Sequence, residues 1–348
     1  MDNSFEIIFI MLGDACNFKC KYCLQGDHNL KIIQPKFSKE MLGFLDSYSS
    51  ENKTMISFWG GEPLLYFDSI KKIVERYQDK FNYEMVSNGS LLTEEIVCFL
   101  NKYKIGYHLS HDGSITEYTR NVDILKNEKL RDLFDSINHK SVNITITSIS
   151  PSMQDLFQYY PDDYLISINT MINTTDTPIS RAFADFDYKK YKKDMQYLFD
   201  SYEQYLLGDI SKHREANTVT RFMGSLQAFL NEGRVRNRCF ACGHGKKMLN
   251  MDCNGSFYLC HNSCVKIGSV DEGYDIASEK LDKILEKHTA KCRECEIKDV
   301  CAGNCFMLNG YGEEQSCELL KQYYGLFLPW LIEMKNKYEG RDNEQNTL

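Results

Sequence analysis

The stretch FEIIFIMLGDACNFKCKYC, residues 5–23, decides the fold that this sequence predicts. It begins with an apolar run, residues 5–12, whose length and β-branched content favour a buried strand. Three cysteines follow, Cys16, Cys20 and Cys23, separated by three and then by two residues. A reactive site is therefore expected just beyond the end of the first strand.

The number of cysteines in this motif indicates the kind of metal centre. A [4Fe–4S] cluster has four irons, so three thiolate ligands leave one iron without a protein ligand. An open coordination position is where a small chelating molecule binds, as it is at catalytic zinc sites. The alternatives are a zinc site, or a disulfide, with its remaining partner elsewhere in the chain. A reactive iron–sulfur cluster with all three cysteines as ligands is the leading interpretation.

Apolar strand-like runs alternate with amphipathic helical stretches through the first two thirds of the chain. Helices are predicted over residues 68–80 and 93–104, the second with Thr93 as its N-cap. Strand–helix alternation at this spacing implies parallel strands joined by right-handed crossovers. The predicted fold class is α/β, with a partial (β/α)6 barrel. Its predicted strands cover residues 5–12, 53–59, 83–87, 105–110, 142–149 and 164–171.

Composition and charge exclude several classes of protein. The 348 residues are 43% hydrophobic and 26% charged, which is typical of a soluble globular protein. A formal charge of −8 argues against a nucleic-acid partner, whose phosphates are bound by Lys and Arg. The sequence has no apolar run of transmembrane length and no basic segment at its start. We therefore expect neither membrane insertion nor export, and predict a cytoplasmic protein.

Cysteine usage points to metal binding rather than to disulfides. The chain has 14 cysteines but only 8 histidines. Clustered CxxC spacings in an intracellular chain are typical of metal sites, because the cytoplasm keeps thiols reduced. Thiolate-rich sites with few histidines suit iron–sulfur clusters or structural zinc.

The motif WGGEP follows the second predicted strand. Its glycines, Gly60 and Gly61, allow the backbone to approach a ligand closely. The carboxylate of Glu62 can pair with an ammonium group. Each of these features alone is compatible with an ordinary turn.

Two further motifs follow the third and fourth predicted strands. They are SNG, residues 87–89, and SHDG, residues 110–113. Ser110 and Asp112 are able to hydrogen-bond a ribose. Together with the cysteine motif and WGGEP, these features occupy the carboxyl ends of successive parallel strands, where barrel enzymes build their active sites. Four such motifs in register indicate one site.

With these motifs, the chain resembles a radical S-adenosylmethionine (SAM) enzyme. The cysteine spacing, with an aromatic Tyr22 before the last cysteine, and the GGEP segment match that superfamily's motifs. The resemblance implies that SAM chelates the unique iron and that the reduced cluster splits SAM into methionine and a 5′-deoxyadenosyl radical. An electron donor such as flavodoxin or ferredoxin is an expected partner. The implied SAM-contacting residues are Tyr22, Gly60, Gly61, Glu62, Ser110, Asp112 and either Arg120 or Arg131.

The composition changes near residue 237. Ten of the fourteen cysteines lie between residues 239 and 317. A closing helix over 317–340 is expected to be interrupted near Pro329. The predicted domains are a barrel over 1–206, a helical bridging region over 207–236, a cysteine-rich domain over 237–340 and a polar tail over 341–348.

The cysteine-rich region is similar to the SPASM domain, which holds auxiliary iron–sulfur clusters. The matching patterns are Cys292-x2-Cys295-x5-Cys301-x3-Cys305 followed by Cys317, and Cys242-x12-Gly255-x4-Cys260. The resemblance implies two auxiliary [4Fe–4S] clusters. The implied outer ligands are Cys292, Cys295, Cys301 and Cys317, and the implied inner ligands are Cys239, Cys242, Cys260 and Cys305. Cys253 or Cys264 is an alternative to Cys239, and a zinc-ribbon-like structural module is the alternative to the clusters. Cys98 is predicted to be a small buried hydrophobic residue.

Radical SAM enzymes with SPASM domains act mainly on peptides and proteins. The sequence therefore predicts a maturase that abstracts hydrogen from a ribosomally synthesised peptide and forms an intramolecular thioether or carbon–carbon cross-link. Sulfatase maturation by formylglycine formation, peptide epimerisation and a non-catalytic iron–sulfur carrier are the alternatives.

Two histidines are candidate catalytic residues. Sulfatase maturases typically carry an aspartate after the cysteine that matches Cys260, whereas this chain has His261 there. His111, beside Asp112, is the other candidate base. Only fifteen residues precede Cys16, so leader recognition is expected to need a separate protein or the outside of the barrel.

Overall fold

The computed structural model describes residues 5–25, 31–170, 184–232 and 247–345, except 299, 302, 306 and 309. Its strands are β1 (Ile7–Met11), β2 (Met55–Trp59), β3 (Asn82–Ser87), β4 (Gly106–Ser110), β5 (Lys140–Ile146), β6 (Leu165–Thr170), β7 (Met248–Asp252), β8 (Ser256–Tyr258) and β9 (Lys266–Ser269). Its α-helices are α1 (Lys39–Ser47), α2 (Phe67–Tyr77), α3 (Glu94–Lys102), α4 (Thr116–Arg120), α5 (Glu128–Asp135), α6 (Met153–Tyr159), α7 (Tyr188–Leu206), α8 (His213–Glu232), α9 (Tyr274–Thr289) and α10 (Gly310–Gln345).

The strands form one sheet in the order β6-β5-β4-β3-β2-β1-β7-β8-β9. Strands β1 to β6 are parallel, which confirms the predicted α/β partial barrel. Strand β7 extends the sheet, since it pairs in parallel with β1 from Ile7↔Met248 to Met11↔Asp252. Strands β8 and β9 then continue it in antiparallel fashion. The first strand therefore lies between β2 and a strand of the cysteine-rich region.

The two faces of the barrel strands carry different side chains. On β1 and β2, Ile8, Ile10, Ile56 and Phe58 are fully buried on the face that the helices cover. This burial follows from the right-handed crossovers, which pack amphipathic helices against the outside of the sheet. The opposite face points into the barrel, and there the strands present Phe9 and a series of polar residues described below. The interior is thus available for a ligand.

Side-chain caps begin several helices where the sequence provides an oxygen. The Thr93 side chain accepts a hydrogen bond from the amide of Ile96, as predicted for an N-cap. The prediction for Cys98 was wrong, because Cys98 is exposed. Helix α3 buries Val97 and Phe99 and turns the position between them to solvent.

The closing helix differs from the prediction. Helix α10 runs without interruption from residue 310 to 345, although Pro329 lies inside it. Proline removes a backbone hydrogen bond, so packing must offset that loss. Trp330 stacks on Phe199 of α7 with ring centroids 4.4 Å apart, and Phe327 beside it is fully buried. These contacts hold the helix on both sides of the proline.

None of the helices in the described part of the chain is long and apolar enough to cross a membrane.

Candidate active site

A cavity of about 510 Å³ opens at the carboxyl ends of the barrel strands. This volume lies within the range of small-molecule and cofactor sites. One part of the lining comes from the cysteine loop and the GGEP segment, and another from the inward face of the strands. The lining residues used below are Phe9, Cys16, Cys20, Tyr22, Cys23, Ser57, Trp59, Gly60, Gly61, Glu62, Glu84, Ser110, Arg120, Asn143, Asn169 and His261.

The three cysteines of the first motif share one wall of this cavity. Burial raises the pKa of Cys16, and burial raises that of Cys20 to about 11 although the Arg120 charge opposes it. Without a bound metal, both side chains are therefore thiols at neutral pH. Iron binding would release the thiol protons.

The arrangement suits a multi-iron cluster better than a single ion. Among the described residues, no three Cys, His, Asp or Glu side chains converge on one metal ion. Sulfur ligands of a cubane each bind a different iron, so they stand farther apart than the ligands of one zinc. Cys16, Cys20 and Cys23 bring three sulfur donors to one cavity, which is the ligand type that iron–sulfur clusters take.

The glycines of WGGEP are required by contacts within the protein itself. The amide of Gly61 donates to the Gly13 carbonyl at 3.0 Å, so the GGEP segment lies directly against the cysteine loop. A Cβ on Gly61 would lie 2.2 Å from the Ala15 carbonyl oxygen, and one on Gly60 would lie 2.6 Å from that of Gly13. Both glycines also line the cavity. Because these two residues have no side chain, the GGEP segment can pack directly against the backbone of the cysteine loop.

We expect Gly61→Ala to displace the cysteine loop. The added methyl group would lie 2.2 to 2.6 Å from the backbone carbonyl groups of Asp14 and Ala15. A side-chain rotation cannot relieve this overlap, because the atoms belong to the backbone. Overpacking of this kind costs about 1–3 kcal/mol of unfolding free energy. Urea unfolding and SAM affinity, measured by equilibrium dialysis, should both show the loss.

Gly43→Ala is the matched control for this variant. Gly43 lies in α1, and a Cβ there meets no atom within 4 Å. Alanine favours the helix by up to about 1 kcal/mol. Equal stability of the two variants would contradict the assigned role of Gly61.

Glu62 joins the ends of two strands. Its buried carboxylate accepts hydrogen bonds from the Ser87 hydroxyl at 2.7 Å and from the Asn88 amide at 2.8 Å. Burial raises the pKa of Glu62, which these donors partly offset. The Asn88 side chain in turn donates to the Asn17 side chain at 2.9 Å. The SNG motif thus ties β3 to both the GGEP segment and the cysteine loop.

Asp112 lies beneath the cavity instead of facing a ribose. It is 1% exposed and is absent from the cavity lining. Its carboxylate binds the Arg120 guanidinium through two hydrogen bonds of 2.9 and 3.1 Å, and it also accepts from the Tyr22 hydroxyl. Burial would raise the pKa of Asp112, but the Arg120 charge outweighs it and lowers that pKa. The predicted ribose contact is therefore corrected to an anchoring role, while Ser110 does line the cavity.

The structure distinguishes Arg120 from Arg131. Arg120 lines the cavity, with its guanidinium 5.3 Å from the centre of the Tyr22 ring. Arg131 is exposed on α5 and is not part of the lining. Of the two predicted SAM contacts, only Arg120 is placed to make one.

The two candidate histidines occupy different environments. His111 is fully buried, is absent from the cavity lining, and hydrogen-bonds Asp123 at 2.9 Å and Tyr160 at 2.8 Å. In this structure, His111 therefore lies away from the cavity, within a buried hydrogen-bond network. His261 does line the cavity, where its ring packs against Phe9 and Trp59 with centroids 4.4 and 4.2 Å away.

Several cavity residues were missed by sequence reasoning. Ser57, Glu84, Asn143 and Asn169 lie on four strands of the barrel, and each points into the cavity. The signal was present, because polar residues at alternate positions interrupt strands that are normally continuously apolar in parallel sheets.

The cysteine-rich region gathers four cysteines around a second, small space. Cys292, Cys295, Cys301 and Cys317 line a cavity of about 30 Å³, the same four that were predicted as outer ligands. The loop between them is shaped by Gly303, whose carbonyl accepts from the His288 ring at 2.6 Å. The four thiol side chains therefore lie around one small space.

The inner set is only partly described. Cys260 is buried and Cys305 is half-buried, whereas Cys239 and Cys242 lie outside the described residues. Of the two alternatives for Cys239, Cys253 donates to the Met11 carbonyl at 3.3 Å and burial raises its pKa to about 12. Cys264 is exposed. The Cys253 thiol is thus already held by a backbone carbonyl of β1.

Known proteins resemble this chain over most of its length. Residues 10–173 match the radical SAM superfamily. The chain is 22% identical to the radical SAM cyclopropyl synthase TigE of Paramaledivibacter caminithermalis, over 98% of this chain and 77% of TigE. Among solved structures, anSMEcpe with bound AdoMet has a TM-score of 0.68 at 19% identity, covering 95% of this chain and 99% of that one. Streptococcus suis SuiB bound to precursor peptide SuiA has a TM-score of 0.60 at 16% identity, covering 88% of this chain and 72% of SuiB.

Proposed function

Because its residues 10–173 make this chain a radical SAM enzyme, we propose that it is a peptide maturase. Its reaction is hydrogen abstraction from a ribosomally synthesised peptide, followed by formation of an intramolecular thioether or carbon–carbon cross-link. One observation carries this proposal: a single cavity joins the three-cysteine wall to a polar wall built from four barrel strands. Such a cavity has room for a radical source at one end and a substrate segment at the other.

The proposed cofactor ligands follow from the cavity lining. Cys16, Cys20 and Cys23 would hold a [4Fe–4S] cluster, with SAM on the iron that lacks a protein ligand. The bound, reduced pair supplies a 5′-deoxyadenosyl radical, which removes a hydrogen atom from carbon. The chain's own residues position the cofactor and exclude water. Glu62 and Arg120 offer the charges for the methionine end of SAM, and Tyr22 and Ser110 line the same space.

The cysteine-rich region would hold the auxiliary clusters. The outer one is proposed on Cys292, Cys295, Cys301 and Cys317, and the inner one on Cys260 and Cys305 together with Cys239 and Cys242. Closing a new bond after one hydrogen atom has left requires the substrate to lose one more electron and one proton. An auxiliary cluster held by the cysteine-rich region is a suitable acceptor for that electron. A flavodoxin or ferredoxin would reduce the SAM-bound cluster.

The comparisons favour a peptide and a bond-forming reaction. TigE is a cyclopropyl synthase, and closing a three-membered ring forms a carbon–carbon bond. SuiB was solved with a precursor peptide and anSMEcpe with the Cp18Cys peptide. The fold of this chain is more similar to anSMEcpe than to SuiB, with TM-scores of 0.68 and 0.60. Sulfatase maturation is therefore kept as the second candidate function.

The test is to incubate the reduced, iron-reconstituted enzyme with SAM and any short peptide found to be encoded beside its gene, without oxygen. We expect 5′-deoxyadenosine and a peptide lighter by two hydrogens, with the new bond located by fragmentation. An unchanged mass with one inverted residue would make the enzyme an epimerase. A formylglycine product from a Cys-containing sulfatase peptide would make it a sulfatase maturase. If no 5′-deoxyadenosine formed, the protein would instead be a non-catalytic iron–sulfur electron carrier.

We expect Cys301→Ala to damage the fold more than the chemistry of the barrel. Cys301 lies in the loop between α9 and α10, which metal ligation would tie to Cys317 of α10, and a structural metal contributes directly to folding. Soluble yield and iron content should fall together, as measured by gel filtration and iron analysis. Cys98→Ala is the control, since Cys98 is exposed and lies apart from the small outer cavity. Equal yields of the two variants would remove the structural role of the outer site.

A further inference from the structure

We propose that Glu84 is the group that takes the second hydrogen of the substrate, as a proton, with His108 and Ser141 as positioning residues behind it. The proposal rests on the proposed function, since it names the proton acceptor of that reaction.

Glu84 is placed at the boundary between the cavity and the strands behind it. It lies on β3, lines the cavity, and has 23% of its side chain accessible. Its register neighbours are Ser57 on β2 and Gly106 on β4. A Cβ on Gly106 would lie 3.4 Å from the Cβ of Glu84 and 3.6 Å from Nε2 of His108. The glycine therefore leaves space in which the carboxylate and the imidazole can meet.

Two further side chains, His108 and Ser141, extend a hydrogen-bonded chain that begins at Glu84. Nε2 of His108 lies 3.3 Å from Oε2 of Glu84, and Nδ1 of the same ring lies 2.6 Å from the Ser141 hydroxyl. Ser141 is buried on β5 and fixes the orientation of the ring. His108 is not part of the cavity lining, yet 31% of its side chain is accessible. A proton received by Glu84 can therefore pass to an imidazole whose exposed part lies outside the cavity.

Most other ionisable groups in the cavity lining are already engaged. The three cysteines are the proposed iron ligands, and the Tyr22 hydroxyl donates to Asp112. Arg120 is held in its ion pair, and Glu62 is buried among three donors. The other ionisable side chains of the described lining are Glu84 and His261. His261 packs against two aromatic rings, whereas Glu84 has a polar route out of the site.

The proposed step balances in atoms and charge. The substrate would lose one hydrogen atom to the 5′-deoxyadenosyl radical that bound SAM supplies, which gives 5′-deoxyadenosine. Closing the new bond would then require the substrate radical to give up one electron, for which an oxidised auxiliary [4Fe–4S] cluster would be the acceptor, and one proton, which the Glu84 carboxylate takes. The peptide is then two hydrogens lighter, and the proton leaves through His108.

The experiment compares Glu84→Gln with Glu75→Gln in the reconstituted holoenzyme, using the peptide encoded beside the gene. Glu75 is exposed on α2 and serves as the matched control. We expect Glu84→Gln to bind the peptide with affinity changed less than about twofold, measured by fluorescence anisotropy, because the amide keeps the size of the side chain. 5′-Deoxyadenosine should still form, whereas modified peptide should fall by about 10²–10⁴-fold, the usual contribution of a general base.

The positioning residues need a readout that a structural role would not change. His108→Ala should lower kcat without raising KM, and imidazole in the buffer should restore part of the rate because the site of the ring is accessible. Glu84→Asp should recover part of the activity that Glu84→Gln loses.

Several outcomes would overturn the proposal. Product formation by Glu84→Gln equal to that of Glu75→Gln removes the base role. A raised KM with unchanged kcat makes Glu84 a substrate-binding group instead. The same uncoupling seen only in His261→Gln assigns the proton to His261. Wild-type enzyme that makes 5′-deoxyadenosine but modifies no peptide contradicts the proposed function itself, and a defect confined to Glu84→Gln cannot produce that result.

Discussion

Replacing Cys16, Cys20 or Cys23 by Ala is expected to abolish SAM cleavage and to remove one cluster's iron from the protein. The three side chains line the large cavity, and no other cysteine among the described residues lines it. Loss of any one thiolate leaves two irons of the cubane without protein ligands. 5′-Deoxyadenosine should fall below detection by chromatography after reduction with dithionite. The iron of the outer site should be retained, because its four cysteines lie in a separate cavity.

Cys98→Ala is the control for this series. Cys98 is exposed on α3, away from both cavities, so the variant should match the wild type in iron content and in cleavage rate. Cleavage that survives in any of the three cysteine variants would contradict the assignment of the reactive cluster. Zinc in place of iron at these thiolates, in protein prepared without oxygen, would contradict it equally.

The second large effect is expected at the buried pair Asp112–Arg120. Asp112→Asn leaves the Arg120 guanidinium buried, 8% exposed, without its counter-charge. Breaking a buried ion pair from one side costs about 3–5 kcal/mol of unfolding free energy. The same change weakens the contact to Tyr22, which lies between two cluster cysteines in the sequence. Urea unfolding should show the stability loss, and the iron content should fall with it.

Two further variants separate charge from geometry. Arg120→Lys keeps the positive charge but loses the paired hydrogen bonds, so its stability should lie between that of wild type and Asp112→Asn. Asp46→Asn breaks the ion pair with Arg76, whose partners are both about half exposed, and should have a much smaller effect. If Asp112→Asn and Asp46→Asn were equally stable, the buried pair would have no special role.

The sequence was sufficient for the features that depend on local pattern. Apolar runs located the six barrel strands to within three residues at each end, and the Thr93 cap was found from its side-chain chemistry. The motifs WGGEP and SNG were correctly placed beside the cysteine loop because parallel strands end at the same edge of the sheet.

Features that depend on side-chain direction were not predictable in this way. Asp112 and His111 are adjacent in the sequence and both point away from the cavity, which the strand pattern did not reveal. Cys98 was placed on the wrong face of α3, since neighbouring helix positions differ by about 100°. Pro329 was expected to break a helix because contacts with α7, distant in sequence, could not be foreseen. Glu84 was overlooked although the polar residues at alternate strand positions signalled an inward polar face, because that pattern does not show which of them meets a second titratable group.

The pairing of β1 with β7 has a consequence for the synthesis of this protein. The first strand acquires its second neighbour only after more than 200 further residues have been added. At translation rates of about 5–20 residues per second, the nascent barrel keeps an unpaired edge for roughly 10–50 s. That edge adjoins the cysteine loop and is a site where misassembly can begin. Before the last third of the chain has been synthesised, β7 is not yet paired with β1 beside the cysteine loop. We therefore expect the cluster to be inserted after the protein is released from the ribosome.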